Sequence, residues 1–287
     1  MINDNTHRRL NHHKKLSQKQ IAILKFIYKF RFVTNKHISR YTKRDVKLIQ
    51  KQLKILEDQK FIAKRYDKSY KLRGKPAAYY ILPSGARQLE TSPDEPINYK
   101  RIYKEKNISD AFISHCSHVV DLYLGLKTQL PEDDTFAYAT KSELSYDRYD
   151  YFPYPLPDVY IRLKKIKNEP KFFLDIFDEK QPYFVLVRRI KRYLAYSESR
   201  AWDDTNTLFP IVLIACSSTS DQKRLHKRIF KELQDSYEEI TFATTTVAEI
   251  TDQSEDMEIW RPIQSNGDKF EEAVDLRAFQ IEFSAEE

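Results

Sequence analysis

At 287 residues the chain is long enough to bury two cores, and its two cysteines, Cys116 and Cys216, stand one hundred positions apart, which leaves little support for a disulfide framework or a structural zinc knuckle. No run of eighteen apolar residues occurs and "MINDNTHRRLNHHKK" lacks the apolar stretch of a leader, so the sequence reads as soluble and cytoplasmic, with no membrane partner. The net charge of +7 conceals a polarised molecule: residues 1–90 hold 23 Lys and Arg against 6 Asp and Glu, net +17, and the remainder 26 against 36, net −10.

In chain order, "SQKQIAILKFIYKFRF" spaces Ile21, Leu24, Ile27 and Tyr28 as one face of a helix, with Ser17 placed to cap it. "VTNKHISRYT" predicts a short second helix capped by Thr34 or Asn35, with Ile38 and Tyr41 inward. A third helix repeats Val46, Ile49, Leu53 and Leu56, and its opposite face carries Lys43, Arg44, Lys47, Gln50, Lys51 and Lys54. "FIAKRYD" and "PAAYYIL" read as two strands around a basic tip with Lys68, Lys71, Arg73 and Lys75, where Gly74 is free to take positive φ; "LPSGARQL" closes the unit with a short helix at Gly85.

Three helices and a basic hairpin resemble a winged helix-turn-helix over residues 17–90. That resemblance implies a third helix in the major groove of double-stranded DNA, with the hairpin on backbone or minor groove. Lysine and arginine suit guanine or phosphate and Gln50 suits adenine. The same unit used only for protein contacts leaves the like-charged face without a purpose. The tail "HRRLNHHKK" adds candidate phosphate contacts.

"TSPDEPINYKRIYKEKN", residues 91–107, reads as a linker on its two prolines and dense charge. Residues 108–263 then give a helix, three strands, a helix, a strand, a helix and a strand. This α/β order, with a mixed sheet, resembles the restriction-endonuclease-like core. In that fold, acids on adjacent strands hold a divalent cation and a lysine positions the nucleophile. Pro157-Asp158 and Asp175 match the acids, with Glu143 as a third; Phe177 stands where the lysine belongs, leaving Lys180 or Lys191 to substitute. His115 and His118 share a helix face but offer only two ligands, so helix-face or core histidines are expected. Tyr146, Tyr149, Tyr151, Phe152 and Tyr154 suit base stacking or packing beneath the sheet. Residues 264–287 form an acidic tail, expected to be disordered and to shield the basic module or meet a basic partner.

The combination of the three-helix start, the Pro-Asp strand, "FFLDIFDE", "RRIKRYLAY", "FPIVLIACSS" and "IWRPI" resembles the replication-relaxation family of plasmid and mobile-element proteins over residues 17–263. The resemblance implies a double-stranded-DNA-binding role in replication initiation or DNA relaxation, alongside plasmid replication or DNA-processing proteins. DNA binding needs no cofactor on this reading and the nuclease-like half is non-catalytic. The alternatives are a Mg²⁺-dependent endonuclease using Asp158, Asp175, Glu143 and Lys191, with Asp158 and Asp175 on the metal, and a winged-helix repressor. A homodimer on a two-fold site fits the first and last.

Overall fold

The computed structural model describes residues 16–89, 96–130, 135–145, 149–164, 168–178, 182–236, 240–252, 258–263 and 272–279. The N-terminal fifteen residues, with "HRRLNHHKK", lie outside them, as do Tyr146 and Lys180. Helix α1 (Gln18–Phe30) starts at Ser17, which forms a reciprocal capping box with Gln20, and α2 (Asn35–Thr42) starts at Thr34, boxed with His37. Asp45 caps α3 (Val46–Asp58), whose Ile49, Leu53 and Leu56 are buried. Tyr41 of α2 stacks on Phe26 of α1 at 4.2 Å between ring centroids, as its inward spacing predicts.

Strands β1 (Ile62–Arg65) and β2 (Ala78–Ile81) pair antiparallel with Ile62 opposite Ile81. The tip between them is more ordered than the expected turn. It contains a helical turn, α4 (Lys68–Leu72), because Asp67 accepts hydrogen bonds from the Ser69 and Tyr70 amides. Gly74 ends that turn at φ +63°, and α5 (Pro83–Ala86) follows β2. A Cβ at Gly85 would stand 2.1 Å from the Phe61 carbonyl oxygen, which itself accepts from the Leu82 amide at 2.9 Å and cannot retreat without breaking that bond. Gly85→Ala is therefore expected to cost about 1–3 kcal/mol in urea unfolding; an unchanged midpoint would show that the segment relaxes freely.

Residues expected as linker are folded where they are described: α6 (Tyr99–Lys104) is capped by Asn98 and buries Ile102. Helix α7 (Asp110–Gln129), capped by Ser109, leads into the antiparallel strands β3 (Phe136–Thr140), β4 (Val159–Leu163) and β5 (Lys171–Ile176). Next come α8 (Tyr183–Glu198), β6 (Ile211–Cys216), α9 (Thr219–Gln234), β7 (Phe242–Thr246), α10 (Val247–Thr251) and β8 (Arg261–Ile263). The sheet order is β3-β4-β5-β6-β7-β8, with β5, β6 and β7 parallel. This is the mixed α/β sheet the element order predicts. Strands β6 and β7 are buried at every position, as central parallel strands covered on both faces must be.

Two apolar layers enclose the sheet. On one face Leu174, Ile176 and Leu213 join Val119 and Leu122 of α7, and the same cluster continues into Ile23, Leu24, Ile38, Leu53 and Leu56 of the three-helix unit. On the other face Phe173, Val212 and Ile214 meet Ile190 and Tyr193 of α8 and Leu225 and Ile229 of α9. The tyrosine-rich segment packs largely inward: Phe152 meets Trp202, Phe173 and Tyr160 edge-on or tilted, while Tyr154 points to solvent. Part of the acidic tail also departs from its expectation, because Leu276 and Phe279 are apolar enough to bury and join the α7-side core, and Val274 bridges to Trp260.

Candidate functional site

The first candidate surface is the outer face of α3. Lys47, Gln50, Lys51 and Lys54 are exposed along the helix. Lys43 and Arg44 are not on the helix face as expected: Lys43 ends α2 in a left-handed conformation and is exposed, and Arg44 is half-buried in the turn before the Asp45 cap. Among the described residues no carboxylate pairs with Lys43, Arg44, Lys47, Lys51 or Lys54. Among the described residues that face stays open, because docking on the sheet half uses α1 and α2 instead. Lys29 reaches Glu143 at 2.9 Å, Arg31 grips Glu105 through two bonds of 2.9 and 3.0 Å, and Arg40 and His37 meet Asp121 at 3.4 and 3.5 Å.

The hairpin is held rather than free. Asp110, in the first turn of α7, accepts from the Tyr70 hydroxyl at 3.0 Å and faces Arg65 and Arg73 at 3.4 and 3.3 Å, while Arg65 also donates to the Lys106 and Ile108 carbonyls at 3.0 Å each. Burial, followed by Asp110, pushes the Tyr70 hydroxyl up to about 12. Arg73 is thus already partnered, whereas Lys68, Lys71 and Lys75 are exposed around the tip.

The second candidate is a cavity of about 650 Å³ between α1, α6, α7 and the strand ends. Its wall brings together Asp158, His115, Lys141 and Asp178. Asp158 Oδ1 lies 3.3 Å from Lys141 Nζ and 3.5 Å from His115 Nε2, and Oδ2 accepts from the Ile176 amide at 3.0 Å. Burial alone would raise the Asp158 pKa, but His115, Lys141 and the Ile176 amide outweigh it and hold the carboxyl well below its ordinary range. For His115 burial works against the cation, and the Asp158 hydrogen bond and charge overcome it to raise the pKa above 6.5.

The raised histidine contributes stability in full below 6.5, which is lost as pH climbs through its folded value; the depressed aspartate contributes above 3.8, which is lost on acidification. Unfolding free energy measured across pH should therefore decline above 6.5 in the native protein and decline less in His115→Gln. Equal slopes would assign the decline to other groups.

The remaining predicted site residues go elsewhere. Asp175 is only 5 % exposed and both its oxygens are taken: Arg189 Nε donates to Oδ2 at 2.6 Å, Nη2 to Oδ1 at 3.2 Å, and the Tyr193 hydroxyl to Oδ2 at 2.7 Å. Arg189 also donates to the Pro155 carbonyl. Glu143 ties the turn after β3 to α1 by accepting from the Thr140 amide at 2.8 Å and from Lys29. Lys191 lies on the outer side of α8, 3.7 Å from Glu232. His118 is half-buried, and burial lowers its pKa. Among the described residues no group of three or more His, Cys, Asp and Glu is arranged to hold a metal ion.

Sequence reading missed Lys141 and Arg189. The pairing of β3 with β4 sets Thr140 opposite Val159 and so carries Lys141 to Asp158, a proximity that spacing along the chain does not signal. Arg189 did leave a trace, a cation on the apolar stripe of Leu186, Ile190 and Tyr193, which implies a buried acid.

A model of the family described as replication-relaxation matches residues 24–212, about two thirds of the chain and across both candidate surfaces. The chain belongs to the replication-relaxation family. Among solved structures, this replication-relaxation protein is similar to the restriction endonuclease FokI, alone at 12 % identity and bound to DNA at 13 %, each with a TM-score of 0.33. Either match covers 85 % of this chain and 46 % of that one, so the replication-relaxation chain spans about half the length of its structural neighbour. No curated protein matches it. None of its helices, among the described residues, is long and apolar enough to cross a membrane.

Proposed function

We propose that this protein binds double-stranded DNA and acts in plasmid or mobile-element replication initiation or DNA relaxation, with α3 in the major groove and the β1–β2 hairpin on the flanking backbone or minor groove. The observation that supports this most is the cationic face of α3, left uncovered among the described residues while α1 and α2 dock against α7. Lysines brought to phosphates release condensed counterions, so affinity in a mobility-shift titration should fall steeply with salt, at a log–log slope of about −0.9 per phosphate neutralised. Absent or salt-independent binding overturns the reading.

The sheet half is a non-catalytic scaffold in this proposal, because Asp175 is consumed by Arg189 and Tyr193. A second reading, an endonuclease, draws on the Asp158–Lys141–His115 cluster facing the cavity. Magnesium does not fit that cluster as it stands, since Asp158 Oδ1 faces two cationic groups and Oδ2 a backbone amide. Supercoiled plasmid incubated with the protein and Mg²⁺ or Mn²⁺ should stay supercoiled; nicking abolished by Asp158→Ala favours the endonuclease.

A further inference from the structure

The sheet half is acidic overall, yet α8 and α9 are not. Helices α8 and α9 together carry nine Lys and Arg against three Asp and Glu, within a segment, residues 91–287, that holds 26 against 36. The topology sets these helices side by side: β5, β6 and β7 are parallel neighbours, so their crossovers α8 and α9 lie parallel on one face of the sheet. Their register is fixed by two contacts. The Tyr183 hydroxyl donates to the Arg224 carbonyl at 3.3 Å under a guanidinium 3.7 Å from the ring, and eight residues further along both helices Lys191 reaches Glu232.

Helical spacing then puts Arg188 and Arg192 on one flank of this seam and Lys227 and Lys231 on the other, all exposed. Arg189 alone of the nine turns into the sheet, towards Asp175. Glu232 is shared by Lys191 and Arg228, leaving the seam cationic along both flanks. Each helix is about 24 Å long, the rise of roughly seven base pairs. Like charges gathered this closely repel one another, a cost that a polyanion across the face would remove. The face also lies on the far side of the sheet from the three-helix unit, whose core joins the α7 layer.

The geometry points to a second duplex-binding face on α8–α9, reading only phosphates, so that one chain holds two DNA segments on opposite sides of its sheet. This rests on the α3 reading and adds bridging to it. The test uses the full chain and two labelled duplexes of about 30 base pairs, one on beads and one fluorescent, at about 0.15 M salt where distant charges are screened. Wild-type protein should carry the fluorescent duplex onto the beads. Arg188→Glu/Lys227→Glu/Lys231→Glu should cut that capture by about tenfold or more while changing affinity for a single duplex by less than about threefold. All three side chains are exposed, so an unchanged unfolding midpoint checks the fold, and the corresponding triple alanine variant should show the same loss to a smaller degree. Capture retained by the reversal variant overturns the proposal and assigns bridging to paired copies using α3. Wild-type binding without capture overturns bridging alone; no wild-type binding at all removes the α3 reading as well.

Discussion

Arg189→Ala is expected to destabilise the protein by about 3–5 kcal/mol, because it leaves the Asp175 carboxylate buried without a compensating charge. Both side chains are 7 % exposed, and the surroundings are Phe173, Phe177, Leu186 and Ile190. The Tyr193 hydroxyl, at 2.7 Å, still donates one bond but brings no charge. Replacing both members, as Arg189→Met with Asp175→Leu, should recover most of the loss, since matched apolar groups avoid the desolvation that the pair incurs. Urea unfolding of the two variants decides the matter. A single-mutant loss under about 1 kcal/mol would mean that water or another cation reaches Asp175, and would reopen it as a functional acid.

The second large effect is on DNA. Lys47→Ala/Lys51→Ala/Lys54→Ala should lower duplex affinity by a similar factor for every sequence and reduce the salt slope by about three, one unit for each phosphate that is no longer neutralised. Gln50→Ala should behave differently, relaxing preference at one base pair by about 1–3 kcal/mol with the salt slope unchanged. Since these side chains are exposed and α3 is held through Ile49, Leu53 and Leu56, thermal unfolding should not move. A triple variant whose salt slope equals that of the native protein would place the phosphates elsewhere.

The helices were legible because their ends are written in the chain. Ser17, Thr34 and Ser109 each supply the oxygen that a first-turn amide needs, and the apolar stripes behind them have a single period. Gly74 was legible because the turn needs a left-handed backbone; at Gly85 only the closing helix was, and the Phe61 carbonyl standing where a side chain would begin was not. The hairpin tip was less so, since Asp67 followed by Lys68-Ser69-Tyr70 reads equally as a turn or as a helix start, and the anchoring of Tyr70 on the distant Asp110 adds to the Asp67 cap in favouring the helix. Pairings between distant segments were hidden altogether. Whether Asp175 meets a metal or an arginine depends on how α8 lies on β5, and the docking of residues 272–279 into the core depends on two apolar side chains in an acidic context.

A cross-link from α3 reports whether this helix lies against the duplex. Cys116 and Cys216 are buried, and burial pushes both thiols up to about 12, so a cysteine introduced by Gln50→Cys is the reactive one for a short photo-cross-linker. With α3 in the groove, a duplex should be captured covalently from position 50, and competing unlabelled duplex or high salt should suppress the capture. A variant that still binds DNA with native affinity yet gives no cross-link from that position would contradict that placement.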